Sequence, residues 1–259
     1  MTTPILTYYN ISPGVTAFST TRHGGVSQGL YGEFNINRYC GDNDECIEKN
    51  TEALCRKLGI VKDHLIMPHQ THGTEVRQIA TDFLTLPPTV KTLLLEGVDA
   101  LITDVKNVCI GVSTADCIPI LIYDECHNAV AAVHAGWRGT VGRVAMKAVD
   151  AMRLSYGSRP ESLKAVIGPG ISLDAFEVGD EVYEEFAAAG FDMSGISIRK
   201  DKWHIDLKEC NRSQLVSLGI PESSIDVSPV CTFGNTGYYF SARRLGTMSG
   251  RIFTGIMTV

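Results

Sequence analysis

Between residues 98 and 135 the chain runs through four short apolar segments, VDALIT, NVCIGVS, IPILIYD and AVAAVHA, with the polar connectors DVKN and DECHN among them. Runs of this length predict strands, and their lack of apolar/polar alternation predicts that both faces are covered. Four strands of one well-buried sheet are expected. GVTAFST at 14–20 alternates and predicts a further strand, as do TEVRQIA after residue 73 and LKAVIG at 163–168. Helical spacing appears elsewhere. Residues 42–60 carry Ile47, Leu54, Cys55 and Leu58 on one face, with acidic residues at the start and Gly59 near the end. Residues 139–157 place Val141, Val144, Ala145, Ala148, Val149 and Met152 together, with Thr140 available to cap the first turn. DEVYEEFAAAG and DLKECNRSQLVSLG predict two more helices, and YYFSARR and GRIFTGIMTV two closing strands. The order of elements predicts an α/β fold, a mixed sheet flanked by helices, in a single domain over 1–259. No repeat, low-complexity tract or Pro/Gly-rich linker suggests a boundary.

Composition narrows the class of ligand. A net charge of −6 and a pI near 5.6 disfavour a nucleic-acid surface or an anionic membrane leaflet, so small molecules are the expected partners. No segment approaches the roughly 20 apolar residues that span a bilayer, and the first residues lack the pattern of a secretion signal, so a cytoplasmic location is expected. Eight cysteines without a CxxC pair then read as free thiols, most of them small buried residues. The sequence is silent on oligomeric state.

Three polar clusters interrupt the apolar middle: HQTHG with His72, TADC with Asp116 and Cys117, and VHAGWRGT with His134. All three fall at strand ends. His134 also precedes a predicted helix, where backbone N–H groups favour an anion, and Arg138 adds a cation. Two imidazoles and a thiolate suffice to hold zinc with a fourth position open. At intervals of 45 and 17 residues (72 to 117, 117 to 134) only the fold could gather them. A metal-free pair, Cys117 as nucleophile and His134 as base, is an alternative. His69 is a weaker fourth ligand, and Trp137 serves equally as a stacking platform or as packing. Asp116 is a candidate proton-transfer group or partner of a histidine ligand, with turn capping as its structural alternative.

FSTTRHGGVS (18–27), HQTHGTEV (69–76), STADCIPILI (113–122), AAVHAGWRGT (131–140), IGPGIS (167–172) and CTFGNTGYYFSARR (231–244) resemble, in order, the signature stretches of the laccase-domain family. Its members are also called polyphenol-oxidase-like proteins or YfiH-type purine nucleoside phosphorylases. The resemblance implies a zinc held by His72, Cys117 and His134. It also implies action on purine nucleosides: phosphorolysis of adenosine, inosine or methylthioadenosine, and hydrolytic deamination of adenosine. Phosphorolysis requires cations against phosphate, for which Arg22, Arg138 and Arg243 or Arg244 are candidates. The family's first motif usually reads FSTR.GG; here an extra threonine precedes the arginine, which loosens the assignment of Arg22. The family name also raises a copper-dependent polyphenol oxidase, since copper binds the same ligands. Seven histidines without an HxH pair disfavour a four-copper enzyme. A peptidoglycan-precursor editing hydrolase is a third alternative.

Overall fold

The computed structural model describes residues 2–259, so residue 1 of the expected 1–259 domain lies outside the described residues. In chain order the strands are β1 (Leu6–Tyr9), β2 (Val15–Thr20), β3 (Leu65–Ile66), β4 (Glu75–Gln78), β5 (Val98–Thr103), β6 (Cys109–Thr114) and β7 (Ile118–Asp124). They continue with β8 (Ala129–Ala135), β9 (Leu163–Ile167), β10 (Glu177–Val178), β11 (Ser197–Arg199), β12 (Trp203–Ile205), β13 (Ile225–Val227) and β14 (Ile252–Thr258). The fold is mixed α/β, as the pattern of elements predicts.

The apolar runs do not form one sheet. β5, β7 and β8 lie in a six-stranded sheet of order β13-β9-β7-β8-β5-β4, whereas β6 joins a five-stranded sheet of order β1-β2-β14-β6-β3. β7 and β8 form a hairpin, pairing antiparallel from Ile118 opposite Ala135 to Asp124 opposite Ala129. β6 instead pairs with β14, Thr114 opposite Ile252. A local apolar run encodes burial on both faces but not the identity of a distant partner, which is why the division escapes the sequence.

Packing explains the missing alternation. Leu101, Leu121, Val130, Ala132 and Val166 of the six-stranded sheet meet Ala17, Ile110, Val112 and Ile256 of the five-stranded one. On the far side of the first sheet, Ile120, Ile122, Ala131 and Val133 pack against Ala148, Val149 and Met152 of the helix Val144–Tyr156 and Leu215 of the helix Leu207–Ser217. On the far side of the second, Phe18, Cys109 and Phe253 pack against Leu54 of the helix Asp44–Leu58. The layers therefore run helix, sheet, sheet, helix, and both sheets are covered twice. A small third sheet, β10-β12-β11, lies outside them in the topology.

Helix ends follow the expected chemistry in places. Asn43 accepts from the N–H groups of Glu45 and Cys46, and Gly59 closes the helix Asp44–Leu58 at φ 71°. The helix expected across 139–157 is interrupted, giving Trp137–Val141 and Val144–Tyr156, because Arg143 takes a left-handed φ of 63° and donates to Ala189 O. Thr140 is no cap; its Oγ1 accepts from Asn211. YYFSARR is not a strand either. Ser241 caps a short helix, Ala242–Leu245, by accepting from Arg244 N–H. All eight cysteines are free thiols, and no helix of the described residues is long and apolar enough to cross a membrane.

Candidate active site

Three connections converge at one end of the sandwich. His134 is the second-to-last residue of β8, Cys117 ends the β6–β7 connection, and His72 lies in the loop before β4. Their ligand atoms all lie within 4.8 Å of one another. The two imidazole rings meet edge to face, with centroids 4.9 Å apart. His134 is buried at 3% exposure, Cys117 is half-buried and His72 is exposed, so the cluster has an inner wall and an open side.

One carboxylate organises this cluster. Asp99, fully buried on β5, accepts from His134 Nδ1 at 2.7 Å. The same carboxylate accepts from the backbone N–H of His72 at 3.0 Å, Gly73 at 2.7 Å and Thr71 at 3.3 Å. These bonds hold His72 at its left-handed φ of 63°, a conformation that costs about 1–3 kcal/mol when nothing supports it. They also fix the orientation of the ring: with Nδ1–H directed at the Asp99 carboxylate, Nε2 of His134 is the atom left to face a ligand. Burial pushes the Asp99 carboxyl up, and His134 with the loop N–H groups more than offsets this and holds it below its ordinary value. Sequence reasoning missed Asp99. Its signal was an acidic residue inside VDALIT, a run expected to be covered on both faces, where a carboxylate must find donors.

Burial by itself would raise the Cys117 thiol, but the adjacent His134 and His72 imidazoles bring it well below the ordinary cysteine value. The site is thus electrostatically prepared for a thiolate. A tetrahedral zinc with bonds of about 2.0–2.3 Å would place its ligand atoms about 3.3–3.8 Å apart, inside the 4.8 Å that encloses the three atoms here. Gly136 completes the fit. A Cβ there would stand 3.0 Å from His72 Cδ2 and 3.1 Å from Cys117 Sγ, so a methyl would press on both side chains and glycine leaves them room to close in. The donor set, the oriented ring and the glycine clearance all fit a metal ion with one open position.

A cavity of about 270 Å³ opens from the cluster. Its other walls include Asn37, Tyr39, Gln70, Thr114, Thr247 and Arg251. Gln70 is locked by a two-way bond with the backbone of Ser113, 2.8 Å in each direction. Thr114 is 1% exposed, and its hydroxyl has no hydrogen-bond partner among the described residues. Arg251 donates to Ser249 O, Gly250 O and Thr247 O, so two of its five N–H donors stay free. Sequence reasoning had placed this arginine only at the start of a strand.

The remaining candidates sit elsewhere. Asp116, at a left-handed φ of 89°, turns its carboxylate to Thr232 Oγ1, Ser241 Oγ and Arg243 N–H, and its bonds reach no histidine. It ties the 231–244 segment to the β6–β7 turn. Arg22 donates to Gly32 O and Thr236 O and lies over the Phe240 ring. Arg138 is exposed and stacks over Trp137, 4.2 Å from its centroid, while Trp137 packs against the core. Arg243 donates to Glu177 O and lies over Phe176. None of these three arginines lines the cavity. His69 bonds Glu96 at 2.8 Å and stacks on Tyr39, outside the three-ligand group.

A family model described as multi-copper polyphenol oxidoreductase laccase matches residues 16–259. The chain belongs to this family. It is 45% identical to a protein named purine nucleoside phosphorylase from Bacteroides thetaiotaomicron, over 96% of this chain and 92% of that one. It is 44% identical to a protein named adenosine deaminase from an unknown prokaryotic organism, over 94% of each. Among solved structures, YlmD from Geobacillus stearothermophilus superposes with a TM-score of 0.88 at 29% identity, covering 95% of this chain and 92% of that one. Bacillus licheniformis YfiH gives 0.88 at 28%, covering 97% and 99%. The comparisons support an enzyme of the nucleoside-processing, metal-dependent kind.

Proposed function

We propose that the chain is a zinc-dependent purine nucleoside enzyme whose one cavity serves both phosphorolysis of adenosine, inosine or methylthioadenosine and deamination of adenosine. The observation that carries this reading is the His72–Cys117–His134 group, backed by Asp99 and open to a cavity of nucleoside size. A zinc ion on those three side chains supplies Lewis acidity and acidified water. The chain's own residues do the rest. Asp99 holds the His134 ring and the 71–73 backbone, so the ligand positions are fixed before substrate arrives. The Tyr39 ring, stacked on His69, offers an aromatic face to a purine. Phosphate is anionic, and the free N–H groups of Arg251 are the cationic donors on the cavity wall.

A multi-ion copper oxidase is less well supported by the residues. His23, His64, His69, His127 and His204 each hydrogen-bond a carbonyl or carboxylate outside the three-ligand group. The test is chromatographic detection of inosine, adenine and hypoxanthine released from adenosine and inosine, with and without phosphate, by zinc-loaded and chelator-treated protein. Arg251→Met is expected to lower the ratio of phosphorolysis to deamination by about 10²-fold, the usual scale for removing one charge-stabilising donor. Zinc-loaded protein that releases neither a free base nor inosine would overturn the proposal.

A further inference from the structure

A second cavity, of about 280 Å³, shares Tyr39 as a lining residue with the first. None of the three ligand residues reaches it. Its floor is apolar: Ile36, Ile66 and Phe83 are buried core residues, and Leu95 is half-buried beside them. Its rim is basic. Arg38 and Lys62 share the Glu48 carboxylate and so are largely neutralised. Lys91, on the helix Pro88–Leu94, is not. The residue is half-buried, its ammonium lies 6.0 Å from the centroid of the Phe83 ring, and among the described residues that ammonium makes no hydrogen bond or ion pair.

An unpaired ammonium at the mouth of an apolar cavity has a specific complement. An inorganic anion would pair with Lys91 but leave the floor wet, and a neutral apolar compound would cover the floor but leave the cation unmatched. We propose that this cavity is a second small-molecule site, for an organic anion with a flat apolar body. The body lies on Phe83 and Ile66, and the carboxylate, sulfonate or phosphate head pairs with Lys91. The inference does not depend on the purine reading, since it uses no residue of the metal-bearing group.

The test is titration of the full chain with 8-anilinonaphthalene-1-sulfonate, followed by fluorescence and calorimetry, with N-phenyl-1-naphthylamine as the neutral analogue. One equivalent of the sulfonate is expected to bind. Lys91→Glu exchanges one attraction for one repulsion at a partly exposed site, so it should weaken sulfonate binding by about tenfold and leave the neutral analogue unchanged. Lys91 is on a helix surface, and circular dichroism checks that the variant is folded. Absence of saturable sulfonate binding, or equal affinity in the folded Lys91→Glu variant, would overturn the proposal. So would displacement of the dye by an equal concentration of inorganic sulfate.

Discussion

Replacing Asp99 by asparagine changes almost no volume and removes one acceptor oxygen, which makes it a sensitive probe of the site. One carboxylate oxygen serves His134 Nδ1 and His72 N–H, and the other serves Gly73 N–H and Thr71 N–H. An asparagine keeps a single oxygen. In either orientation two of the four donors face an amide NH2, and each donor left unsatisfied costs about 1–3 kcal/mol. The expected loss is about 2–6 kcal/mol, or a fall in Tm of at least about 4 °C for a chain of this size. If the amide nitrogen turns to His134, Nδ1 must become the acceptor, and the ring proton moves to Nε2, the atom needed by a metal. Zinc affinity is therefore expected to fall about 10–100-fold, as for other partners of metal-binding histidines. Thermal unfolding of chelator-treated protein separates the two effects, because the loop N–H groups lose their acceptor with or without metal. Competitive chelator titration then reads the affinity. An Asp99→Asn protein with unchanged Tm and unchanged zinc affinity would refute the assignment of Asp99 as the organiser of this site.

Gly136→Ala should lower zinc affinity while keeping the fold, because the backbone there is extended and the new methyl meets His72 and Cys117 at 3.0 and 3.1 Å; zinc content per chain and circular dichroism read the two parts. Asp124 gives a pH-dependent prediction. Burial pushes its carboxyl up, but donors including the His127 ring and Cys126 N–H outweigh this and hold it below its ordinary value. A depressed folded pKa contributes stability that is fully present above the unfolded value of about 3.9 and is lost as pH falls through the folded value. The stability gap between the parent chain and Asp124→Asn, measured by urea unfolding, should hold from pH 7 to about 5 and close below about 3.9; a gap that stays constant into that acid range would contradict the carboxylate's role.

What the sequence disclosed was local. Covered strands, the helix at 44–58 and its glycine stop follow from spacing and cap chemistry within a few residues. The ligand trio was visible as three odd motifs, and the family resemblance joined them; spacings of 45 and 17 residues could not. Long-range partners were the missing information. β6 pairs with a strand near the end of the chain, so the second sheet was not foreseen. The 238–244 segment has strand-like aromatics, yet Asp116 draws Ser241 and Arg243 N–H into a turn from far away. The arginines were chosen from motifs; their guanidinium groups turn to backbone carbonyls and aromatic rings, and the cavity cation came from Arg251, inside a stretch that reads only as strand.

β14 occupies the middle of its sheet, between β2 and β6. Its two neighbours are made long before it. When β6 ends at residue 114, another 144 positions must be added before Thr258 can be placed (258 less 114), roughly 7–30 s at ordinary elongation speeds. Throughout that interval β2 and β6 each present a bare edge with unpaired N–H and C=O groups, the kind of surface that recruits other nascent strands. Because Ser113 and Gln70, whose mutual bonds steady the loop carrying His72, belong to that same region, the candidate site would mature only after β14 has been added. A polypeptide organised in this way closes its central sheet late, and its vulnerable period is the time its central strand is still being made.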